Sequence, residues 1–188
     1  FISSIGVHGE ESDQKKINEE AKYNPYNFYS LSKVYAEISI VSSLKFSNTN
    51  YTIIRPSLVI GKNAPGNIEA IKKLLKLGIP LPINVFKSKR NILDISDLCN
   101  LICKCINSKN SNDEIFVASN KKELTPLEIF TEVSKLEGLR VRSFYLPKKL
   151  LFLIFCLMGK KNQFNKLNQN YLIDSKKARK FLNWNTKN

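Results

Sequence analysis

Histidine is nearly absent from this sequence, with His8 alone among 188 residues. Cysteine is scarce too: Cys99, Cys103, Cys105 and Cys156. Three of them form C-x-x-x-C-x-C, which lacks the paired C-x-x-C spacings and neighbouring histidines of a metal centre. They fall within the apolar pattern Leu98, Leu101, Ile102, Cys105 and Ile106, one face of a helix, so small buried apolar groups are the expectation and a metal is not. Nothing in the spacing suggests a disulfide framework, which points to a reducing compartment, the cytoplasm. No secretory leader pattern is visible. Nor is a spanning segment: the longest apolar run, Leu150 to Met158, has nine residues, against the roughly 20 that a transmembrane helix needs.

What the sequence has in excess is positive charge, a formal +14. Such a field attracts polyanions, nucleotide phosphates or an acidic membrane face. It is spread along the chain without a block, and Lys, Asn, Ile and Ser are common throughout, so a compositional bias is the simpler reading. A basic nucleic-acid module would interleave aromatic and basic residues on one surface, and no such motif is present. The other non-catalytic reading is a membrane-surface module, because Lys148, Lys149, Lys160 and Lys161 flank the Leu150–Met158 run. A helix packed within the protein is the expectation for that run. With 43% hydrophobic residues the chain can bury a core, which excludes global disorder.

Phe1-Ile2-Ser3-Ser4 reads as the end of a buried strand, as if the sequence began in the middle of a fold. Residues 5–24 read as a polar connection. A helix is predicted from Pro25 or Tyr26 to about Phe46, with Val34, Ile38, Val41 and Leu44 at helical spacing. Tyr51 to Arg55 is a β-branched run stopped by Pro56, hence a strand, and residues 57–66 read as a loop. Residues 67–77 predict an amphipathic helix with Ile68, Ile71, Leu74 and Leu75 on one face. Strands at 91–95, 114–118 and 141–145 follow. Helices run from a Ser96 cap to Ile106, from a Thr125 cap to Leu136, and over 175–182, with Pro147 opening the apolar segment. The alternation indicates an α/β protein.

Tyr29-Ser30-Leu31-Ser32-Lys33 places Y-x-x-x-K on the first helix, where residues i and i+4 share a face. An ammonium held there favours the phenolate of a tyrosine whose ordinary pKa is about 10, as a general base near neutrality requires. The motif by itself is common; its surroundings make it specific. Ser3-Ser4 closes an apolar strand and is followed by Val7-His8-Gly9. Residues 51–61 read Y-T-I-I-R-P-S-L-V-I-G. These segments, in this order and spacing, resemble the extended short-chain dehydrogenase/reductase family of NAD-dependent epimerase/dehydratase type. Its pattern is strand-S-S-x-x-V-Y-G, Y-x-x-x-K, strand-R-P-x-x-V-Y-G. Within that family the sequence looks most like bacterial UDP-sugar 4-epimerases and 4-keto-sugar reductases of surface-polysaccharide synthesis. Gly66-Asn67, Lys89 to Leu98, Asp174 to Lys177 and Leu182-Asn183-Trp184 extend the resemblance over nearly the whole chain. His8 and Ile60 stand where the family has aromatic residues, and Asp94 where it often has histidine. His8 is expected to be a structural substitute, not a proton carrier.

The resemblance implies an incomplete Rossmann-like, doubly wound parallel sheet, its second half, in residues 1–62. It implies a small α/β substrate-binding lobe in residues 63–188, from which 91–107 returns to the sheet. NAD is the implied cofactor, or NADP in a reductase. Ser4, Tyr29 and Lys33 are the implied catalytic residues. Tyr29 would take the proton of a sugar hydroxyl. Lys33 would lower the tyrosine pKa and hydrogen-bond the nicotinamide ribose. Ser4 would hold the reacting oxygen. Residues from Pro56 to Val59 would line the nicotinamide, and Asn67 and Arg90 would lie near the nucleotide diphosphate, where a guanidinium fork suits phosphate. An epimerase would oxidise C4 to a 4-keto sugar and return the hydride to the other face; a reductase would perform the second half alone. A homodimer through the Y-x-x-x-K helix is also implied, and polyprenyl-linked sugars are the alternative substrates of some relatives. Family members bind the dinucleotide pyrophosphate on G-x-x-G-x-x-G, and none of the seven glycines here forms that motif. The expectation is therefore that the glycine-rich half precedes Phe1 or comes from another chain, and that these residues alone do not bind NAD tightly.

Overall fold

The computed structural model describes residues 1–10, 12 and 15–186. Glu11, Asp13 and Gln14 of the polar connection, and the last two residues, lie outside the described residues. Strand β1 (Thr52–Pro56) pairs in parallel with β4 (Glu114–Ala118), Thr52 opposite Glu114 and Pro56 opposite Ala118. The chain start runs along the other edge of β1. Ser3 N–H donates to the Ile54 carbonyl at 2.8 Å, and Ile54 N–H to that of Phe1 at 2.9 Å. The predicted buried strand is thus reduced to a single parallel bridge, Ile2 to Ile54. Phe1 and Ile2 are exposed, because no described strand lies on their far side.

The stretch predicted as a loop after Pro56 contains a strand, β2 (Leu58–Ile60), parallel to β3 (Arg90–Asp94); β3 in turn pairs antiparallel with the short β5 (Glu123–Leu124). Gly61 ends β2 where a Cβ would meet Ile95 Cγ2 at 2.8 Å, so a side chain there would push the next helix off the sheet.

Two apolar layers cover these strands. Helix α3 (Ile95–Ile106) and the late helix over residues 176–182 bury Leu98, Leu101, Leu182 and Trp184 against Ile54, Leu93 and Phe116. The Trp184 indole N–H donates to the Asp97 carbonyl at 3.1 Å, which ties the chain end to α3. Asp94, not Ser96, caps α3: its carboxylate accepts from Ser96 N–H at 2.7 Å. Cys105 lies on the buried face, where burial pushes its thiol up to about 11. Cys99 and Cys103 are exposed, against the expectation for all three, because they project from the side of α3 opposite Leu98 and Leu101. Among the described residues no three His, Cys, Asp or Glu side chains come together as a metal site.

The predicted first helix is α1 (Phe28–Leu44). The second layer packs α2 (Asn67–Lys76) with α4 (Pro126–Glu137) over β2 and β3 through Ile68, Leu75, Ile92, Ile129 and Val133. On α2, Leu74 is exposed and Lys72 is buried in its place, with its ammonium 2.8 Å from Glu137. Thr125 caps α4 in a capping box with Glu128, as the sequence indicates. The predicted strand at 141–145 is one bridge, Leu81 to Ser143. Beyond it come α5 (Lys148–Leu157) and α6 (Lys161–Asn168), which was not anticipated, and then α7 (Lys176–Leu182). No described helix is long and apolar enough to cross a membrane.

Candidate active site

In parallel α/β sheets ligands bind beyond the carboxyl ends of the strands. At that end the chain leaves Ile2 through Ser3-Ser4, leaves β1 at Pro56-Ser57, and leaves β4 at Ala118. Ser4 caps a 3-10 turn, Ile5–His8, by accepting from Gly6 N–H at 3.1 Å. Its own hydroxyl proton stays available to donate. That turn packs on the first turn of α1, since a Cβ at Gly6 would lie 3.6 Å from Tyr26 and 3.7 Å from Ser30. Asn27 and Ser30 form a capping box that fixes where α1 begins, and so fixes Tyr29 and Lys33.

Tyr29 is 58% exposed. The Lys33 ammonium lies 5.7 Å from its ring centroid and donates to the Ile2 carbonyl at 3.0 Å. Ser4, Tyr29 and Lys33 therefore belong to one neighbourhood, joined by α1 and the Ile2–Gly6 backbone. Pro56 is buried at the end of β1, and Val59 packs toward the α3 layer, so that at these two positions a role at a ligand falls to the backbone. Next to Pro56, the Ser57 Oγ is buried with no hydrogen-bond partner.

Asn67 and Arg90 are not joined to that trio by any described hydrogen bond. Asn67 opens α2 with an exposed side chain. Arg90 is half-buried at the start of β3, donates to the Lys166 carbonyl and keeps a buried, unpartnered Nε. Burial lowers its pKa, against the charges of Tyr171, Glu10 and Tyr26. Lys166 pairs with Glu10 at 2.5 Å and lies 5.4 Å from the Tyr26 ring, so two cations stand on the serine-turn side of α1.

Beneath the trio lies a buried polar network that the sequence did not single out. Glu37 follows Lys33 by one helical turn and is 0% exposed. Its carboxylate accepts from Arg55 Nη2 at 2.5 Å and Nε at 3.1 Å, from Tyr23 Oη at 2.8 Å, and from Ser3 Oγ. Arg55 spends its remaining donors on Tyr23 Oη, the Glu19 carbonyl and His8 Nε2. One glutamate thus locks α1 to the strand end that carries Ser4, to β1 and to the 19–23 connection. The signal available in the sequence was spacing: residues 29, 33 and 37 share one helix stripe.

His8 is buried in this network as a structural group. Arg55 can only donate, so Nε2 accepts at 3.0 Å, and Nδ1–H donates to the Lys22 carbonyl at 3.1 Å. Both nitrogens are committed to the neutral ring. Burial and the adjacent guanidinium hold its pKa below 6.5, against the pull of the Lys22 carbonyl. A histidine whose folded pKa is lowered supports folding above its unfolded value and loses that support as pH falls through the lowered one. Urea denaturation at pH 7.5 and 5.5 is expected to show a loss of stability that His8→Gln diminishes; equal losses in both proteins would remove His8 as the cause.

A parallel sheet with a hydroxyl-bearing turn and a Tyr–Lys helix at its carboxyl end defines an α/β protein of Rossmann-like class. A model of the NAD dependent epimerase/dehydratase family matches residues 1–118, and the chain belongs to that family. It is 28% identical over 186 residues to the UDP-glucose 4-epimerase of Vibrio cholerae, covering 98% of this chain and 57% of that protein. It is 22% identical over 152 residues to the N-acetyl-alpha-D-glucosaminyl-diphospho-ditrans,octacis-undecaprenol 4-epimerase of Escherichia coli O157:H7, covering 80% and 45%. Its fold superposes on the crystal structure of UDP-glucuronic acid 4-epimerase from Bacillus cereus in complex with NAD, with a TM-score of 0.72 at 18% identity, over 100% of this chain and 55% of that one. The chain spans about half the length of the curated relatives it matches.

Proposed function

We propose that this chain supplies the catalytic and substrate-binding part of an NAD-dependent enzyme that epimerises C4 of a UDP-sugar for surface-polysaccharide synthesis. The observation that carries the reading is that Lys33, one helical turn from Tyr29, donates to the Ile2 carbonyl two residues before Ser4, at the carboxyl end of the parallel strands. The Vibrio cholerae relative supports the reaction class. Residues 1–62, with 91–107 and β4, are the proposed cofactor side; the remainder of 63–188 is mainly the proposed substrate lobe. The exposed residues Tyr35 and Ile38 on the outer face of α1 favour a homodimer through that helix.

The residues present fit the nicotinamide end of the cofactor: Lys33 for the ribose, and the Pro56–Val59 backbone with the orphaned Ser57 hydroxyl beside it. The pyrophosphate needs a glycine-rich turn, which none of the seven glycines here forms. NAD, when bound, accepts and returns a hydride. The proton is the work of this chain. Tyr29, open to solvent, takes it as the phenolate from the C4 hydroxyl and, now the phenol, gives it back. Lys33, fixed by the Ile2 carbonyl, keeps a positive charge beside that phenol. Ser4 donates its free hydroxyl proton to the reacting oxygen and holds it. Asn67 and Arg90 are the proposed contacts of the diphosphate.

Mixing the chain with a separately expressed glycine-rich half is expected to interconvert UDP-glucose and UDP-galactose with no net consumption of NAD, while the chain alone neither binds NAD tightly nor turns over. Stoichiometric NAD(P)H consumption would replace the epimerase with the reductase reading. Tight one-to-one NAD binding by the chain alone would refute the division of the cofactor site. A polyprenyl-diphosphate carrier in place of UDP is the second reading, favoured by the exposed apolar face of α5 and by the Escherichia coli relative.

A further inference from the structure

Helix α5 buries Leu151 and half-buries Phe155, which pack with Phe86 and Phe164 beneath it; the Phe155 and Phe164 ring centroids are 5.6 Å apart. That inner face satisfies the sequence expectation of a packed helix. Leu150, Leu153, Ile154 and Leu157 recur at i, i+3, i+4 and i+7, which is a complete apolar face, and it points outward. Leu153 is 54% and Leu157 80% exposed. A helix on a globular protein turns one such face to the core and polar groups to water; α5 carries an apolar face on both sides.

The charge around it is equally one-sided. Residues 138–173 contain seven Lys and Arg and no Asp or Glu. The charge that looked evenly spread is concentrated here, with half of the net +14 in this one stretch. Lys148 and Lys149 open α5, Lys160 and Lys161 follow its end, and all four are exposed, as are Arg140 and Arg142. Among the described residues Lys166 is the only one of the seven that meets a carboxylate, that of Glu10. The acids bracketing the stretch, Glu137 and Asp174, are engaged by Lys72 and Lys176.

We propose that α5 and its basic surround dock on an anionic lipid bilayer, with the outward leucine face in the headgroup–acyl boundary and the lysines on lipid phosphates. At 1.5 Å per residue the helix is about 15 Å long, too short to span, so it lies in the interface plane. Lysine stems can cover apolar surface while their ammonium groups reach the phosphates. A second copy of the same surface is a poor occupant, since it would juxtapose unpaired like charges. The inference stands apart from the epimerase reading, because its test measures binding and not turnover.

Sedimentation of the 188-residue chain with vesicles tests it. Mixed phosphatidylcholine/phosphatidylglycerol vesicles are expected to bind the chain at low salt, at least about tenfold more tightly than phosphatidylcholine alone, and less tightly as salt rises. Leu153→Glu with Leu157→Glu is expected to lose that binding at least about tenfold while circular dichroism and Tm stay unchanged, since both side chains are exposed. Lys148→Glu with Lys149→Glu and Lys160→Glu provides a second variant, expected to weaken binding to mixed vesicles alone. No binding at low salt, or equal binding by both variants and the parent, overturns the proposal. So does lipid-free self-association that the leucine variant abolishes, which would make this face a contact between copies.

Discussion

In the proposed enzyme, reconstituted with a glycine-rich half, Tyr29→Phe is expected to lower kcat by about 10²- to 10⁴-fold, the usual range for a lost general acid–base group, with little change in KM. The reason is what the substitution leaves intact. Tyr29 is exposed and contributes little to the core. The capping box that starts α1 rests on Asn27 and Ser30, and Lys33 keeps its bond to the Ile2 carbonyl. The phenylalanine ring occupies the same space, so only the oxygen proposed to carry the proton is removed. A loss in kcat and kcat/KM together is the signature of an interaction made in the transition state. Turnover within a few-fold of the parent would remove Tyr29 from the mechanism and leave the Y-x-x-x-K spacing as a coincidence of helix composition.

Glu37→Ala is expected to destabilise the fold by about 3–5 kcal/mol, the cost of stranding a buried charge. Arg55 is 2% exposed and would face the cavity without its carboxylate. For a chain of this size each kcal/mol moves Tm by roughly 2–4 °C, so the change is plain in a thermal melt. Glu37→Met combined with Arg55→Met should recover much of the loss, because an apolar pair avoids burying any charge. The acid limb carries a second signature. Burial alone would raise the Glu37 pKa, but its bonds from Arg55, Ser3 and Tyr23 outweigh that and leave it below 4.5. A carboxylate with a lowered folded pKa gives stability that is present above its unfolded value and lost as pH falls through the lowered one. The alanine variant should therefore approach the parent's stability as pH falls through that range. A Glu37→Ala protein with parental stability at neutral pH would show that the network is not a structural lock.

Both predictions turn on α1, yet the sequence presents the two residues very differently. Tyr29 and Lys33 are legible because a helix repeats every 3.6 residues and a four-residue spacing guarantees a shared face. Glu37 lies on the same stripe and reads as a solvated acid, because nothing local says that it is buried. Its burial depends on Arg55, Tyr23 and Ser3, which belong to three other segments. His8 is similar. The sequence marks it as an odd residue in an aromatic position, and only its two partners, Arg55 and the Lys22 carbonyl, commit it to the neutral ring.

Local chemistry by itself determined the alternation of helices and strands, the Thr125 cap, the stop of β1 at Pro56 and the tyrosine–lysine face. Each rests on neighbours a few residues apart, where backbone geometry leaves few choices. Periodicity also marked the apolar faces of α1 and α2, and composition the apolar run of α5, but not what covers them. On α1 the expected Ile38 is exposed while Ser30 and Glu37 are buried; on α2 Lys72 displaces Leu74; on α5 one face is packed and the other is open. Which side of a helix meets water is a property of the elements placed around it, and the pairings that decide it join residues far apart in the chain. Tertiary structure alone decided the buried Glu37–Arg55 lock, the parallel pairing of the short β2, and the outward turn of the Leu150, Leu153, Ile154 and Leu157 face of α5.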